Sequence, residues 1–188
     1  RPASHITDHR ADHDLFVSRG AQTGYKAVFE SPVDVPANGE VTFIVDWDVR
    51  KAVVETRDRY ILKPTFRAVV ESQAGAITGS VSNLGDRQIV VFAYEDDEYS
   101  ESESEAPNNE DESWFPNAVT SDLVEDDDAN GTGHYRLSFL APGTYDLIVV
   151  EYDPVAETYA VLSSTDLVNL EVTADGVNSG NDYALAVE

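Results

Sequence analysis

Short runs of β-branched and aromatic residues recur between turn signals along this sequence, and helical periodicity is nearly absent. This pattern predicts strands, in which successive side chains point to opposite faces of a sheet. In residues 40–46, Val41, Phe43 and Val45 share one face, which we expect to be buried. The chain is therefore predicted to be an all-β protein. Further strands are predicted at residues 25–29, 60–62, 65–70, 76–81, 88–94, 134–140, 144–152, 158–162, 168–172 and 182–187.

The balance of charge restricts the partners that the chain can bind. Thirty-six acidic residues stand against twelve basic ones, which gives a formal net charge of −24. A field of that sign repels the phosphates of nucleic acids and anionic lipid headgroups. We therefore expect no nucleic-acid partner, whereas cations are attracted to such a surface.

Two absences narrow the chemistry further. The sequence has no cysteine, which excludes disulfides, thiolate metal sites and a cysteine nucleophile. No stretch approaches the roughly 20 apolar residues that span a bilayer, so no direct membrane insertion is expected. The sequence opens with Arg1-Pro2 rather than with Met or a signal peptide. We expect any secretion signal or N-terminal lipid anchor to precede this segment.

A polar stretch of small residues at 71–75 separates two strand-rich halves, and the domain boundary is predicted there. Residues 1–72 form the first predicted domain and residues 73–188 the second. The first supplies four or five predicted strands, which are few for an independent sandwich. Residues 42–46 and 65–70 are therefore predicted to be open sheet edges, whose unpaired N–H and C=O groups invite another strand.

Residues 95–117 interrupt the second half with a segment dense in Asp, Glu, Ser and Asn. This segment is predicted to be a mobile acidic loop, because it has too little apolar surface to offset the entropy of ordering. Trp114 and Phe115 near its end are exceptions. Two interpretations of this pair stay open: it packs back onto the sandwich, or it forms an exposed stacking platform for a sugar or a protein.

The first half carries three signatures of a known family. They are Gly24-Tyr25-Lys26, then Val45-Asp46-Trp47-Asp48-Val49-Arg50-Lys51, and then Tyr60-Ile61-Leu62-Lys63-Pro64 with Arg67. Residues 20–72 resemble the C-terminal part of the bacterial and archaeal domain of unknown function numbered 4382. The resemblance implies a β-sandwich of secreted or lipid-anchored surface proteins, with no known reaction. Family members carry a further N-terminal half, so the resemblance also implies that this first sandwich is incomplete.

The second half carries another resemblance. Its motifs are Gly75-Ala76-Ile77-Thr78-Gly79-Ser80-Val81, Gly133-His134-Tyr135-Arg136-Leu137 and Leu140-Ala141-Pro142-Gly143-Thr144-Tyr145. Residues 75–188 resemble a carboxypeptidase-regulatory or transthyretin-like β-sandwich, which implies adhesion, anchoring or spacing roles and no catalysis by this module. From the residues alone, Pro142-Gly143 predicts a hairpin turn between strands 135–139 and 145–149.

Residues 126–131, Asp-Asp-Asp-Ala-Asn-Gly, resemble the opening of a calcium loop. Asp126, Asp128 and Asn130 place oxygen atoms at alternate positions before a glycine, but Leu137 stands where such a loop has its bidentate Glu. A helix-loop-helix calcium site is therefore excluded. A plain turn and a turn that also binds Ca²⁺ both stay open, because hard cations need only converging oxygens.

His5, His9 and His13 recur every four residues, which on a helix would align three imidazoles as ligands for a transition metal. No apolar residues repeat with them to hold such a helix, and terminal segments are commonly frayed. The alternative is a solvated or partner-bound tail.

No assembled nucleophile, acid–base pair or phosphate-binding glycine loop can be singled out, so we expect no enzymatic activity. Arg50, Lys51, Lys63 and Arg67 gather basic charge in the first half, either for salt bridges or as a docking patch. The sequence favours a structural or interaction module of an extracellular or cell-surface assembly, such as a filament, adhesion or matrix subunit. A protein partner or self-association through strand pairing is expected. The alternative is a carbohydrate-binding surface module that uses Trp114, Phe115 and Tyr99. These three residues would then contact the glycan.

Overall fold

The computed structural model describes residues 5–7, 12–17, 25–29, 33–35, 37–55, 60–63, 65–107 and 113–187. Strands make up 54% of the structure and helices 7%, which confirms the all-β prediction.

Residues 1–72 contain seven strands within the described ranges, more than the four or five predicted. They form two sheets, with strand orders β1-β2-β6-β5 and β3-β7-β4. One short helix, α1 (Val49–Ala52), follows β4 and begins where the Asp48 carboxylate accepts a hydrogen bond from the Arg50 amide at 3.0 Å. The strands are β1 (His5–Thr7), β2 (Asp12–Val17), β3 (Lys26–Val28), β4 (Phe43–Asp46), β5 (Val53–Glu55), β6 (Tyr60–Leu62) and β7 (Thr65–Val70).

The positions of β4 and β7 differ from two predictions. β7 was predicted to be an open edge, but it lies between β3, its parallel neighbour, and β4, its antiparallel one. Residues 41–45 were predicted to bury the face of Val41, Phe43 and Val45. Phe43 and Val45 are instead 42% and 54% exposed, and Ile44 and Asp46 are the more covered side chains of β4. Alternation was therefore predicted correctly, and the buried face was not.

Residues 75–187 contain eight strands in two sheets. The order is β10-β9-β12-β13 in one sheet and β11-β8-β14 in the other, where β15 also pairs with β8. Short 3₁₀ turns lie at Glu71–Gln73 and Glu101–Ser104. The strands are β8 (Gly75–Ser82), β9 (Gln88–Glu95), β10 (Thr120–Leu123), β11 (Thr132–Leu140), β12 (Gly143–Asp153), β13 (Thr158–Val172), β14 (Val177–Asn178) and β15 (Tyr183–Ala184).

The core of this second part explains why residues 89–94 of β9 are all apolar or aromatic. Ile89, Val91 and Ala93 pack in a cluster that includes residues of β8 and β11, such as Ile77 and Leu137. The opposite face of β9 carries Val90, Phe92 and Tyr94, which the end of the acidic segment covers. Both faces of the strand are thus buried, so no polar residue interrupts positions 89–94.

The predicted hairpin at Pro142-Gly143 is wrong. β11 pairs with β8 and β12 pairs with β9 and β13, so the short connection passes from one sheet to the other. A register shift between Ser138 and Leu140, with Phe139 at φ 61°, bends β11 just before this crossing. A Pro-Gly turn between two alternating strands has the same sequence pattern in a hairpin within one sheet and in a connection between two sheets.

Candidate interaction surface

The free edge of β4 is the first feature of the site. The Glu71 amide donates to the Thr42 carbonyl at 2.9 Å, so in this antiparallel pair the bonded positions on β4 are the even-numbered ones. Phe43 and Val45 therefore direct their N–H and C=O groups away from β7. Within the described ranges β4 pairs with β7 alone. The predicted edge at residues 42–46 is present.

One face of the β3-β7-β4 sheet forms an aromatic cluster. Tyr25 and Trp47 have ring centroids 5.5 Å apart, and Phe66 lies 5.8 Å from Trp47. Phe29 and Phe43 meet edge to face at 5.0 Å. The strand register places all five rings on the side that also carries Val45 and Ala68. We call this side the aromatic face.

The aromatic face is open to solvent although it is apolar. Tyr25 is 52% exposed, Phe43 42% and Val45 54%. Arg67 alternates with Phe66 along β7 and so projects from the opposite side, where it contacts the carbonyls of Ser138 and Phe139. At its Trp47–Phe66 end the aromatic face borders the second half, because both rings line a cleft shared with Glu95, Glu98 and residues 116–119, whereas Phe43 and Val45 are exposed.

A cleft of about 660 Å³ lies where residues 46–52, 63, 66 and 67 meet both ends of the acidic segment. Lys51, Lys63 and Arg67 line it together with Trp47 and Phe66, and Glu95 and Glu98 contribute from the other side. The Lys51 ammonium donates to the Ala118 carbonyl, and the Lys63 ammonium to the Ser113 hydroxyl at 3.3 Å. Burial lowers the pKa of Lys51, and nearby Asp48 opposes that shift.

Of the four grouped cations, Arg67 forms an ion pair, whereas Lys51 and Lys63 donate to the uncharged oxygens of Ala118 and Ser113. Arg67 donates to the Asp46 carboxylate at 2.7 Å, with both side chains largely covered. Asp48 accepts from the Ser121 hydroxyl at 2.7 Å, which adds another link across the cleft. The sequence pattern grouped these cations correctly but gave no sign that they join the two halves.

Glu103 is a buried carboxylate that the sequence analysis missed. It is 8% exposed and accepts hydrogen bonds from the Tyr94 hydroxyl and from the backbone and side-chain amides of Asn117, each at 3.0 Å. Burial and the adjacent Glu103 charge raise the pKa of Tyr94. This carboxylate pins the acidic segment to β9. Nothing in a run of acidic and serine residues marks one glutamate as buried.

Trp114 and Phe115 pack against the sandwich. Phe115 is 0% exposed, with its ring 4.3 Å from that of Phe92. This geometry favours the packed interpretation, and the Phe115 ring offers no face to a ligand. Trp114 is half-buried at 5.1 Å from Tyr159, which in turn lies 4.9 Å from Tyr152. Tyr99, the third residue of the glycan hypothesis, meets Tyr94 edge to face, with ring centroids 5.2 Å apart.

In the turn after β10, the side-chain oxygens of Asp126, Asp128 and Asn130 already accept hydrogen bonds from residues 130–132. Both carboxylate oxygens of Asp126 accept backbone amides, from Asn130 at 3.1 Å and Gly131 at 2.8 Å. Asp128 accepts from the Asn130 side chain at 3.0 Å, and the Asn130 oxygen accepts the Thr132 amide at 2.8 Å. Desolvation raises the pKa of Asp126, but the hydrogen bonds that its carboxylate accepts outweigh this effect and lower the pKa. The turn is present, and calcium binding to it stays a prediction.

Elsewhere in the described ranges, Asp96, Asp97 and Asp146 bring carboxylates within 4.8 Å of one another. Asp146 already accepts the amides of Asp97 at 3.2 Å and Asn169 at 2.8 Å, which accounts for its burial. The cluster therefore has a structural explanation.

The histidine spacing does not lie on a helix. His5 belongs to β1 and His13 to β2, which pair antiparallel with His5 opposite Asp14. His9 lies outside the described residues. The helical arrangement that motivated a metal site is therefore absent from β1 and β2, and β2 also pairs in parallel with β6. The alternative of a solvated or partner-bound tail stays a prediction.

No family model matches this sequence, and no curated protein matches it. The two family resemblances stay predictions. Among the described residues there is no helix with the length and apolar character needed to cross a bilayer.

Proposed function

We propose that the chain is a non-enzymatic structural or interaction module of an extracellular or cell-surface assembly, joined by β-strand pairing between subunits. The observation that carries the proposal is the edge of β4, where Phe43 and Val45 have backbone groups that pair with no other strand within the described ranges. An added strand satisfies such groups and gains affinity from main-chain hydrogen bonds. The surface location follows from the resemblance of residues 20–72 to secreted and lipid-anchored proteins.

Two further observations support a division into two modules at residue 72. Every strand pairing within the described ranges joins strands on the same side of Glu71–Gln73. The two parts also differ in charge, as the sequence itself shows. Residues 1–72 hold ten basic and eleven acidic residues, and residues 73–188 hold two and twenty-five. The second module therefore supplies nearly all of the repulsion that keeps the protein soluble.

The experiment is light scattering after size-exclusion chromatography over a range of protein concentrations. We expect oligomers that Val45→Pro weakens, because proline removes an outward N–H without breaking the ladder to β7. Val45→Thr is the matched control, since it keeps that donor and a β-branched shape.

A chain that stays monomeric throughout would contradict strand pairing and favour the second candidate, a carbohydrate-binding module. The partly exposed rings of Trp114, Tyr159 and Tyr152 support that candidate, because adjacent aromatic faces stack on sugars.

A further inference from the structure

Exposed apolar side chains are concentrated in the first module. Of thirteen large apolar side chains with substantial exposure in the described ranges, eight belong to residues 1–72. Four of these eight, Tyr25, Phe29, Phe43 and Val45, lie together on the aromatic face. Single exposed apolar residues are ordinary on protein surfaces, whereas a contiguous aromatic patch marks an interaction site.

The uneven distribution of charge between the two modules favours a second copy of the chain as the partner. Residues 1–72 carry a net charge of −1 and residues 73–188 a net charge of −23. Two copies that meet through their first modules therefore bring nearly neutral surfaces together. Phe29 and Phe43 lie at the end of the face farther from Trp47 and Phe66, so a contact centred on them is also the one farther from the acidic residues of the cleft.

We infer that the aromatic face of the β3-β7-β4 sheet packs against the same face of a second copy, in an isologous dimer. The inference rests on the proposed association between subunits, and it adds a second contact surface beside the β4 edge. A self-complementary patch satisfies two-fold symmetry without a second type of surface. Phe43 and Val45 of one copy then bury against the rings of the other.

The area of the aromatic face is small for an interface between two proteins. Three strands about 4.8 Å apart, with about 3.3 Å per residue over six residues, cover about 300 Å². A standard interface covers about 800 Å² on each partner. A face of less than half that area favours a weak and reversible dimer.

Sedimentation equilibrium of the full chain tests the proposal. Val45→Lys places a charge on the aromatic face and raises the dissociation constant at least tenfold. Val155→Lys makes the same change at an 88% exposed site of the second module and leaves the constant unchanged. Circular dichroism and the urea midpoint verify that both variants fold.

Salt provides an independent measurement. Raising NaCl from about 20 mM to about 500 mM shortens the screening length from about 20 Å to about 4 Å. Apolar pairing opposed by like charges strengthens under this change, so the dissociation constant falls. An association that weakens with salt would instead indicate ion pairs between copies and would overturn the proposal.

The outcomes separate the two proposals. If oligomers persist in Val45→Lys but are lost in Val45→Pro, strand pairing stands and packing through the aromatic face is wrong. If the chain is monomeric up to about 1 mM, both proposals fail.

Discussion

At the scale of single residues, two buried carboxylates in the described part of the chain are satisfied by specific partners. The Glu103 carboxylate receives three hydrogen bonds, and the Asp146 carboxylate receives two backbone amides. Carboxylates are expensive to bury unless donors replace the water they lose. Each therefore fixes the position of a loop relative to the strands beneath it.

Replacing Glu103 with Ala should lower the free energy of unfolding by about 3 kcal/mol, because Tyr94 and Asn117 then lose their acceptor in a buried site. Glu105→Ala is the matched control, since Glu105 is exposed and its removal relieves the same negative charge. Urea unfolding followed by tyrosine fluorescence measures both. Equal stabilities would show that Glu103 does not anchor the acidic segment.

At the scale of strands and turns, close backbone packing holds β8 against the segment that includes Asn181. The Asn181 amide donates to the Thr78 carbonyl at 3.3 Å, and its carbonyl accepts from the Tyr135 hydroxyl at 2.6 Å. Gly79 leaves the space for this approach. A Cβ at that position would lie 2.6 Å from the Tyr135 hydroxyl and 2.7 Å from the Asn181 carbonyl carbon, with the carbonyl oxygen nearer still.

Gly79→Ala should therefore destabilise the protein by about 3 kcal/mol, since backbone rather than a flexible side chain must move. Gly143→Ala serves as its control, because the nearest atom to a Cβ there is the Tyr145 ring at an ordinary 3.6 Å. That change should fall within about 0.5 kcal/mol. Thermal unfolding by calorimetry compares the two. A Gly79 variant as stable as the Gly143 variant would contradict the close packing.

The limits of sequence reasoning also appear at this scale. Period-two alternation in residues 41–46 predicted β4 correctly, but its buried face depends on residues far along the chain. In the same way, residues 88–94 were predicted to form a strand, but nothing in them reveals that Phe115 covers one side of it. The turn at residues 126–131 was predictable because its hydrogen bonds are local. The cleft of Lys51, Lys63 and Arg67 was not, because it forms between distant segments.

At the scale of the whole molecule, charge is divided unevenly between the two predicted modules. The net charge of −23 on residues 73–188 opposes folding of that part through self-repulsion. The first module carries the cations that reach across the cleft to Ala118 and Ser113. Electrostatic interactions therefore favour contact between the two modules. Within the second module, repulsion between like charges lowers the free energy of unfolding.

The melting temperature should rise as NaCl is increased from about 20 mM to about 500 mM, because screening relieves this repulsion. Calcium should raise it further than magnesium or NaCl at matched ionic strength only if the turn oxygens of Asp126, Asp128 and Asn130 bind the ion. A ligand at 100 times its dissociation constant adds about 2.7 kcal/mol. Differential scanning fluorimetry, with Asp128→Asn as the control, separates the two effects. Equal shifts in all three salts would leave the turn without a calcium role.

The strands β14 and β15 have a consequence for synthesis. Both lie alongside β8, and Asp182 accepts hydrogen bonds from the amide and hydroxyl of Ser80, 102 residues earlier in the chain. At about 5–20 residues per second, a ribosome makes β8 about 5–20 s before the segment that covers it. During that interval the nascent sheet exposes an unpaired strand to its neighbours on the polysome. The acidic residues between β8 and β14 give each unfinished chain a negative charge, which repels neighbouring unfinished chains.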